Sequence, residues 1–288
     1  MMLKKIKKKL RSNIYTEHFY QLIKNLIYSK SIKNNPFGKV VLAKKEEYLN
    51  IYNNSLSEVY DEVDNYEKET GFKINEKWLN DLALHTQVVI KESKICYAHG
   101  RLIYSKLRQY INDNYELLKD KEICIVETGT SRGFSSLCMA KALKDANIKG
   151  KIYTIDIIPN SKKFYWNCID DLEGKKTRLD LLSKWSDLIE NYIIFLEGNA
   201  NKVIKSINMK RFHFAFLDAS HTYFDVKNEF IEIANKQEEK DIIIFDDYTP
   251  NSFNGLIKAA NYVCKKFNYS SKNIKANKYR GYLITEKN

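Results

Sequence analysis

The spacing of apolar residues changes near residue 120, from a helical pattern to a pattern of short continuous runs. Over 44–114, apolar residues recur every three or four positions, as at Leu79 and Leu82, which predicts helices. Beyond this point, apolar runs alternate with helical stretches, as expected for strands buried on both faces of a parallel sheet. The runs predict strands at 123–127, 151–156, 192–196, 212–218, 241–246 and 279–285.

This alternation predicts an α/β fold with a doubly wound, Rossmann-like and mainly parallel sheet. We expect the strand order 3-2-1-4-5, followed by closing antiparallel strands from the aromatic-rich stretch 267–285. The chain would then comprise a basic helix and linker over 1–45, an N-terminal helical extension or lid over 46–120, and an α/β domain over 121–288. Within that domain, 157–191 is a long and largely helical insertion between the second and third strands.

Positive charge is concentrated near the start of the chain. The formal net charge is +12, yet the first 45 residues hold twelve Lys or Arg against one acidic residue, which leaves 36 basic and 35 acidic residues in 46–288. Nucleic-acid binding needs a basic surface on the folded body. The nearly neutral body therefore argues against a nucleic-acid partner.

Among the first lysines, Leu3, Ile6 and Leu10 recur at helical spacing and predict a basic amphipathic helix within 1–30. Two interpretations are open: peripheral contact with an anionic membrane surface, or packing on the body or on a partner subunit of an oligomer. No stretch approaches the ~20 apolar residues of a transmembrane helix, and no secretory signal pattern is present. The five cysteines form no C-x-x-C pair, so we expect reduced thiols and a cytoplasmic protein.

Residues 123–143 have the pattern of a strand, a glycine turn and a helix. The strand ends at Glu127, and Gly129 and Gly133 follow before the helix. Glycines let the backbone approach a ligand closely, and free amides at a helix start favour polar or anionic groups. Because Ser131 replaces the middle glycine of a dinucleotide fingerprint, the pattern predicts another nucleotide-like ligand, or a βα turn that binds none.

Polar residues after the next two strands extend this predicted site. The second strand ends in Asp156, which in nucleotide-binding folds of this type can accept two hydrogen bonds from ribose hydroxyls. The third strand is followed by Asn199, which either contacts an adenine or belongs to a plain turn. Together with the glycine turn, Asp156 favours a nucleoside ligand.

Acidic residues end the fourth and fifth strands, at Asp218, Asp246 and Asp247. Neighbouring parallel strands bring their carboxyl ends together, so these carboxylates would repel one another unless a hard cation such as Mg²⁺ lies among them. The alternative is that one acid caps a helix while another faces solvent. His221, in the loop after the fourth strand, is the candidate general base, with Asp218 as a second candidate and a purely orienting role for His221 as the alternative.

The helical stretch before the first strand offers further candidates for substrate binding. His99 and Arg101 lie in one predicted helix, and Tyr248 follows the fifth-strand acids. This helix would form a substrate-facing lip over the carboxyl edge of the sheet. Alternatively, His99 is a buried structural residue and Arg101 is a surface residue.

Four motifs therefore follow one another within about 120–285. They are Val-Glu127-Thr-Gly129-Thr-Ser-Arg-Gly133-Phe-Ser, Thr-Ile-Asp156, Phe-Leu-Asp218-Ala-Ser-His221 and Ile-Phe-Asp246-Asp247-Tyr248. In this order they resemble the class I S-adenosylmethionine-dependent methyltransferases, in the branch with the macrolide and aminocoumarin sugar O-methyltransferases and the cephalosporin-hydroxylase-like proteins.

The resemblance implies S-adenosylmethionine as the cofactor. In the metal-dependent members of this branch, acids matching Asp218, Asp246 and Asp247 bind Mg²⁺, and a basic residue stands at the place of His221. The resemblance, together with the positions at the strand ends, assigns the cofactor contacts to Glu127, Gly129, Thr130, Ser131, Gly133, Ser135, Asp156 and Asn199.

The sequence therefore predicts an S-adenosylmethionine-dependent, Mg²⁺-assisted O-methyltransferase. Its acceptor would be a hydroxyl of a sugar or another small molecule, in surface-glycan or natural-product biosynthesis. A hydroxylase-like oxidative enzyme on the same scaffold is one alternative, because the branch includes proteins so named. A binding protein that keeps the fold without catalysis is the other.

Overall fold

The structure is a computed structural model that describes residues 14–16, 19, 34–250 and 252–288. The basic helix predicted within 1–30, and with it the predicted membrane or subunit contact, lies outside the described residues apart from 14–16 and 19. In the described part of the chain, none of the helices combines the length and the apolarity needed to span a bilayer.

Helices precede the first strand, as the apolar spacing predicts. The second of them ends at Gly71, which adopts the left-handed conformation common at helix ends, and the third begins at Asn75, whose side chain accepts a hydrogen bond from the Trp78 amide. The fourth helix packs its apolar face on the sheet domain through Leu102 and Leu107. These helices are α1 (Lys45–Leu56), α2 (Asp61–Thr70), α3 (Glu76–Thr86), α4 (Ala98–Asp113) and α5 (Tyr115–Leu118).

A seven-stranded sheet forms the centre of the α/β domain, with the order β3-β2-β1-β4-β5-β7-β6. The first five strands are parallel, and β7 pairs antiparallel with both β5 and β6. The predicted doubly wound sheet with a closing antiparallel hairpin is thus confirmed. The strands are β1 (Ile123–Thr128), β2 (Gly150–Asp156), β3 (Ile193–Glu197), β4 (Phe214–Leu217), β5 (Ile242–Phe245), β6 (Tyr269–Asn277) and β7 (Arg280–Lys287).

Helices cover both faces of this sheet, so β1, β4 and β5 are buried along their whole length. Two clusters of buried apolar residues lie on the two faces, and the first also includes residues from α2, α3 and α4. All five cysteines are buried and unpaired, as predicted. The helices are α6 (Phe134–Asp145), α7 (Arg178–Leu181), α8 (Ser186–Tyr192), α9 (Ala200–Ser206), α10 (Tyr223–Ala234) and α11 (Asn254–Lys266).

The insertion between β2 and β3 is only partly the helical segment that the sequence predicts. Its second half holds α7, α8 and two short 3₁₀ turns, Ile169–Glu173 and Ser183–Trp185. Its first half, 157–168, contains no helix. Pro159 disfavours helical conformation at the preceding residue, in agreement with the non-helical start.

Glu229 on α10 is a buried acid with one hydrogen bond, from the Thr128 hydroxyl at 2.9 Å. Burial raises the pKa of Glu229 from 4.5 to about 8. The folded protein therefore keeps a proton that the unfolded chain releases, so the free energy of unfolding falls as pH rises from 4.5 to about 8.

We expect Glu229→Gln to remove this loss, because a neutral amide still accepts the bond from Thr128. The variant should gain up to about 5 kcal/mol over the natural protein at pH well above 8 and little at acidic pH. Urea unfolding of both proteins, below pH 4.5 and above pH 8, measures the difference. An equal effect at both pH values would contradict a buried, protonated Glu229.

Candidate active site

The glycine turn joins β1 to α6 through close backbone contacts. Gly129 has φ +93°, and a Cβ atom there would lie 2.5 Å from the carbonyl oxygen of Asp218. Gly133 has φ +80° and caps α6, and a Cβ atom there would lie 2.6 Å from Leu182 Cδ1. The main chain of Asp218 therefore requires a glycine at 129, and the left-handed conformation favours one at 133, in addition to the ligand approach that the sequence suggests.

Glu127 lies beneath this turn, completely buried. It accepts hydrogen bonds from the hydroxyls of Ser135, Ser136 and Thr154. Thr154 also shares a 2.6 Å hydrogen bond with Thr130. These three hydrogen bonds lower the pKa of Glu127, but burial outweighs them, so the pKa is raised overall. The side chains of Glu127, Thr130 and Ser135 therefore support the turn from below, together with Ser136 and Thr154, which no sequence pattern indicates.

Asp156, at the end of β2, is fixed beside the turn. Its carboxylate accepts hydrogen bonds from the backbone amides of Ser131, at 2.6 Å, and Ile158, at 2.9 Å. A carboxylate offers about four acceptor positions, so these bonds leave positions for ribose hydroxyls. Together with the positive-φ glycines and the fixed turn, this donor and acceptor set fits a nucleoside cofactor.

Asn199 is exposed in the next loop, where it precedes α9. The amide of Gly198 donates to the Asp156 carbonyl oxygen at 2.7 Å, which brings the loop after β3 against the end of β2. The structure thus brings the glycine turn, Asp156 and Asn199 to one edge of the sheet.

Asp218, Asp246 and Asp247 follow the neighbouring strands β4 and β5, and each is partly or fully buried. The Asp218 amide donates to the carbonyl oxygen of Thr128 at 2.9 Å, so this cluster adjoins the glycine turn. Burial and the neighbouring carboxylates raise the pKa of Asp218 well above its ordinary value. Single ligand atoms of Asp218, His221 and Asp247 lie within 4.8 Å of one another, while Asp246 accepts a hydrogen bond from the Asp247 amide at 2.7 Å.

Arg280, the first residue of β7, enters this acid cluster, and the sequence prediction missed it. Its guanidinium bonds the Asp247 carboxylate and lies 3.5 Å from Asp246 Oδ2. One guanidinium can neutralise only one of three carboxylates, and the raised pKa values of Asp218 and Asp246 show that burial and mutual repulsion disfavour further negative charge here. The oxygen donors fit a hard divalent cation, which would favour their deprotonated form.

His221 completes the cluster. Its Nε2 atom lies 2.7 Å from Asp247 Oδ2, and its ring packs 4.3 Å from the ring of Phe253. Burial alone would raise the pKa of Asp247, but the bond to His221 and the charge of Arg280 lower it overall. The loop that carries His221 is held by hydrogen bonds from Ser220 and Thr222 to Asp225, at 2.9 and 2.7 Å.

Comparison with known proteins agrees with this geometry. Residues 126–248, from β1 to the end of the acid cluster, match the sequence family described as "Methyltransferase domain". The chain carries a class I S-adenosylmethionine-dependent methyltransferase domain. The predicted family and enzyme class are therefore confirmed. No curated protein matches the chain by sequence.

Two solved structures are similar to this methyltransferase in fold. The first is the O-methyltransferase TomG from Streptomyces achromogenes, involved in tomaymycin synthesis and solved with S-adenosylmethionine, at 15% identity and a TM-score of 0.51 over 75% of this chain and 92% of that chain. The second is the O-methyltransferase NovP, at 14% identity and a TM-score of 0.51 over 72% of this chain and 97% of that chain. At these identities the likeness is one of fold.

His99 is the most buried of the predicted substrate residues of the methyltransferase. It is 5% exposed and its ring lies 4.8 Å from the ring of Phe134 and 6.1 Å from that of Phe216. Burial and the charge of Arg280 lower the pKa of His99 to about 3, so its ring is neutral. Among the described residues, its Nδ1 atom has no hydrogen-bond partner. A substrate contact of His99 stays a prediction.

The polar groups of the Arg101 and Tyr248 side chains bond to residues outside the acid cluster. Arg101 forms ion pairs with Asp64 and Glu67 on α2, both at 2.5 Å. The Tyr248 hydroxyl donates to Asn261 on α11 at 2.8 Å. Their predicted role in substrate binding therefore has no geometric support beyond position in the chain.

Proposed function

We propose that the protein transfers the methyl group of S-adenosylmethionine to a hydroxyl oxygen of a small molecule, with sugars as the first acceptor class to test. One observation supports this most strongly: the glycine turn and the acid cluster are in direct contact. Gly129 packs directly on the main chain of Asp218. A methyl donor at the turn and an acceptor at the acids would therefore be neighbours, as direct transfer requires.

The glycine turn and Asp156 would hold the cofactor, which supplies an electrophilic methyl group. The amides at the start of α6 lie where a methionine carboxylate would meet helix N–H groups. The free acceptor positions of Asp156 suit the ribose, and Asn199, in the neighbouring loop, would contact the adenine.

Asp218, Asp246 and Asp247 would hold Mg²⁺, which acts as a Lewis acid and lowers the pKa of an acceptor hydroxyl. The crowding of three carboxylates around one guanidinium supports a divalent ion at this place. The nitrogen of His221 is a poorer ligand for Mg²⁺ than a carboxylate oxygen. We therefore assign His221 to proton transfer rather than to metal binding.

His221 would accept the proton of the acceptor hydroxyl. Asp247 holds its Nε2 atom, which fixes the ring and stabilises the imidazolium that forms, and leaves Nδ1 for the acceptor. Asp218 is less suited as the base, because its carboxylate would be occupied by the metal. Phe253 beside the imidazole offers an apolar wall of the kind on which a sugar ring packs.

The acceptor class rests on weaker support. TomG is involved in the synthesis of a small molecule, and the body of this chain is nearly neutral, which suits a small uncharged acceptor better than nucleic acid. A glycan or lipid-linked acceptor would give the basic segment 1–30 a role at a membrane surface. The reduced cysteines accord with a cytoplasmic location.

Methyl transfer is tested with S-adenosylmethionine labelled in its methyl group and a panel of sugars and other vicinal diols, with Mg²⁺ or with EDTA. We expect a labelled ether that forms only with the metal. His221→Ala should lower kcat about 10²–10⁴-fold while S-adenosylhomocysteine still binds. His85→Ala, which removes a histidine bonded to Asp170 and not to the acid cluster, is the control. Cofactor binding without transfer to any hydroxyl would instead favour the binding-protein alternative.

A further inference from the structure

The insertion between β2 and β3 is seated on the glycine turn itself. Three consecutive turn residues each contact it, two through side chain to backbone hydrogen bonds and one through apolar packing. The contacts join Ser131 to Arg178, at 3.0 Å, Arg132 to Trp166, at 2.7 Å, and Gly133 to Leu182. The family motifs contain none of the insertion residues, so the turn depends on a part of the chain that the motifs do not identify.

Arg178, the first residue of α7, is the charged residue that the insertion contributes to these contacts, and it is only 1% exposed. Its Nε atom donates to the Ser131 carbonyl, and Nη1 donates to the Asn160 side chain. Its Nη2 atom donates to the Ile158 carbonyl at 3.4 Å and lies 3.6 Å from Asp156 Oδ2. A guanidinium buried this deeply is costly unless its donors are used, so these partners fix its position.

The residues that Arg178 holds are the ones assigned to the cofactor. Ser131 has φ +49°, a left-handed conformation that costs energy in a residue with a side chain. Its amide is bonded to Asp156 and its carbonyl to Arg178, so the conformation is held from both sides. Without Arg178, Ser131 would be free to relax, and Asp156 would lose both an ion-pair partner and a fixed amide donor.

We propose that Arg178 is a positioning residue for the cofactor, which holds Ser131 and Asp156 in the geometry that receives the ribose and the adjoining part of S-adenosylmethionine. The insertion is then a component of the cofactor site. This inference rests on the proposed cofactor binding. If Arg178 only attached the insertion to the rest of the domain, its replacement would lower the stability of the fold and leave the affinity for the cofactor unchanged.

A double-mutant cycle on the full chain tests this role, with the S-adenosylhomocysteine affinity measured by calorimetry. Arg178→Met should weaken binding about tenfold or more in the natural background. In an Asp156→Asn background the same change should weaken it only about two- to threefold, because the residue through which Arg178 acts is already altered. Lys184→Met is the control, since Lys184 lies on the same insertion and pairs at the surface with Asp81.

Two milder variants keep the test valid if Arg178→Met does not fold. Arg178→Lys keeps the charge but loses the fork that reaches several carbonyls, and Asn160→Ala removes one partner of the guanidinium. Both should weaken binding, and by less than Arg178→Met. Unchanged affinity in folded variants, or equal losses in both backgrounds, would overturn the positioning role. If the natural protein bound no S-adenosylhomocysteine, the proposed function would fall, and this inference with it.

Discussion

Gly129→Ala should destabilise the protein by roughly 3–5 kcal/mol and abolish measurable cofactor binding. Any side chain at φ +93° carries a conformational cost, but the steric clash costs more. The new Cβ atom would lie 2.5 Å from the Asp218 carbonyl oxygen and 2.7 Å from its carbonyl carbon. Both are backbone atoms at the end of β4 and cannot rotate away. The end of β1 and the end of β4 must therefore separate.

Gly174 provides a matched control. It has φ +100°, close to that of Gly129, but an added Cβ atom there meets nothing within 4 Å. Gly174→Ala should carry only the conformational cost of its backbone angles, φ +100° and ψ −169°, about 1–3 kcal/mol, and leave cofactor binding intact. Urea unfolding and calorimetry compare the two variants. Equal stability losses would show that the contact between the turn and β4 is not tight.

Arg280→Met should destabilise the protein by about 3–5 kcal/mol when divalent metal is removed. The substitution leaves three carboxylates with no guanidinium among them, and two of these groups already have a raised pKa because of burial and mutual repulsion. If the cluster binds a divalent cation, millimolar Mg²⁺ should restore much of the lost stability. Thermal unfolding in EDTA and in MgCl₂ measures both effects.

Lys278→Met is the control for Arg280→Met, because it removes a positive charge from the same hairpin but has no carboxylate partner among the described residues. Its side chain lies over the Tyr279 ring at 4.8 Å. A change within about 0.5 kcal/mol is expected, as for most surface substitutions. An Arg280→Met variant as stable as the natural protein in EDTA would contradict the proposed charge balance. If Mg²⁺ restored none of the stability lost in Arg280→Met, the proposed metal site would be contradicted.

The sequence was sufficient to predict the features that depend on local pattern. Continuous apolar runs indicated the parallel strands, and acids at the strand ends indicated Asp156 beside the glycine turn and the cluster that contains Asp218 and Asp246. Topology alone brings such residues to one edge of the sheet, whatever the details of packing. For this reason the predicted acids lie together in the structure, while the predicted substrate residues Arg101 and Tyr248 bond to residues outside that cluster.

Features that depend on strand register or on the rotation of a helix about its axis could not be predicted from the sequence. Arg280 reaches the acids only because β7 pairs antiparallel with β5 in a register that sets Leu283 opposite Phe245. A shift by one residue would send its side chain to the other face of the sheet. Arg101 shows the same limit for a helix, since its rotation directs it to the acids of α2. The predicted helix at the start of the insertion is wrong because Pro159 comes shortly after the end of β2 and the residues that follow have no helical periodicity.

Calorimetric titration with S-adenosylhomocysteine tests the central claim most directly, that the glycine turn and Asp156 form a cofactor site. The natural protein should bind one ligand per chain, and Asp156→Asn should weaken binding about tenfold or more. Glu197→Gln, which alters the exposed acid paired in register with Asp156, should bind like the natural protein. No binding at millimolar ligand, or equal affinity for Asp156→Asn and the natural protein, would contradict the claim.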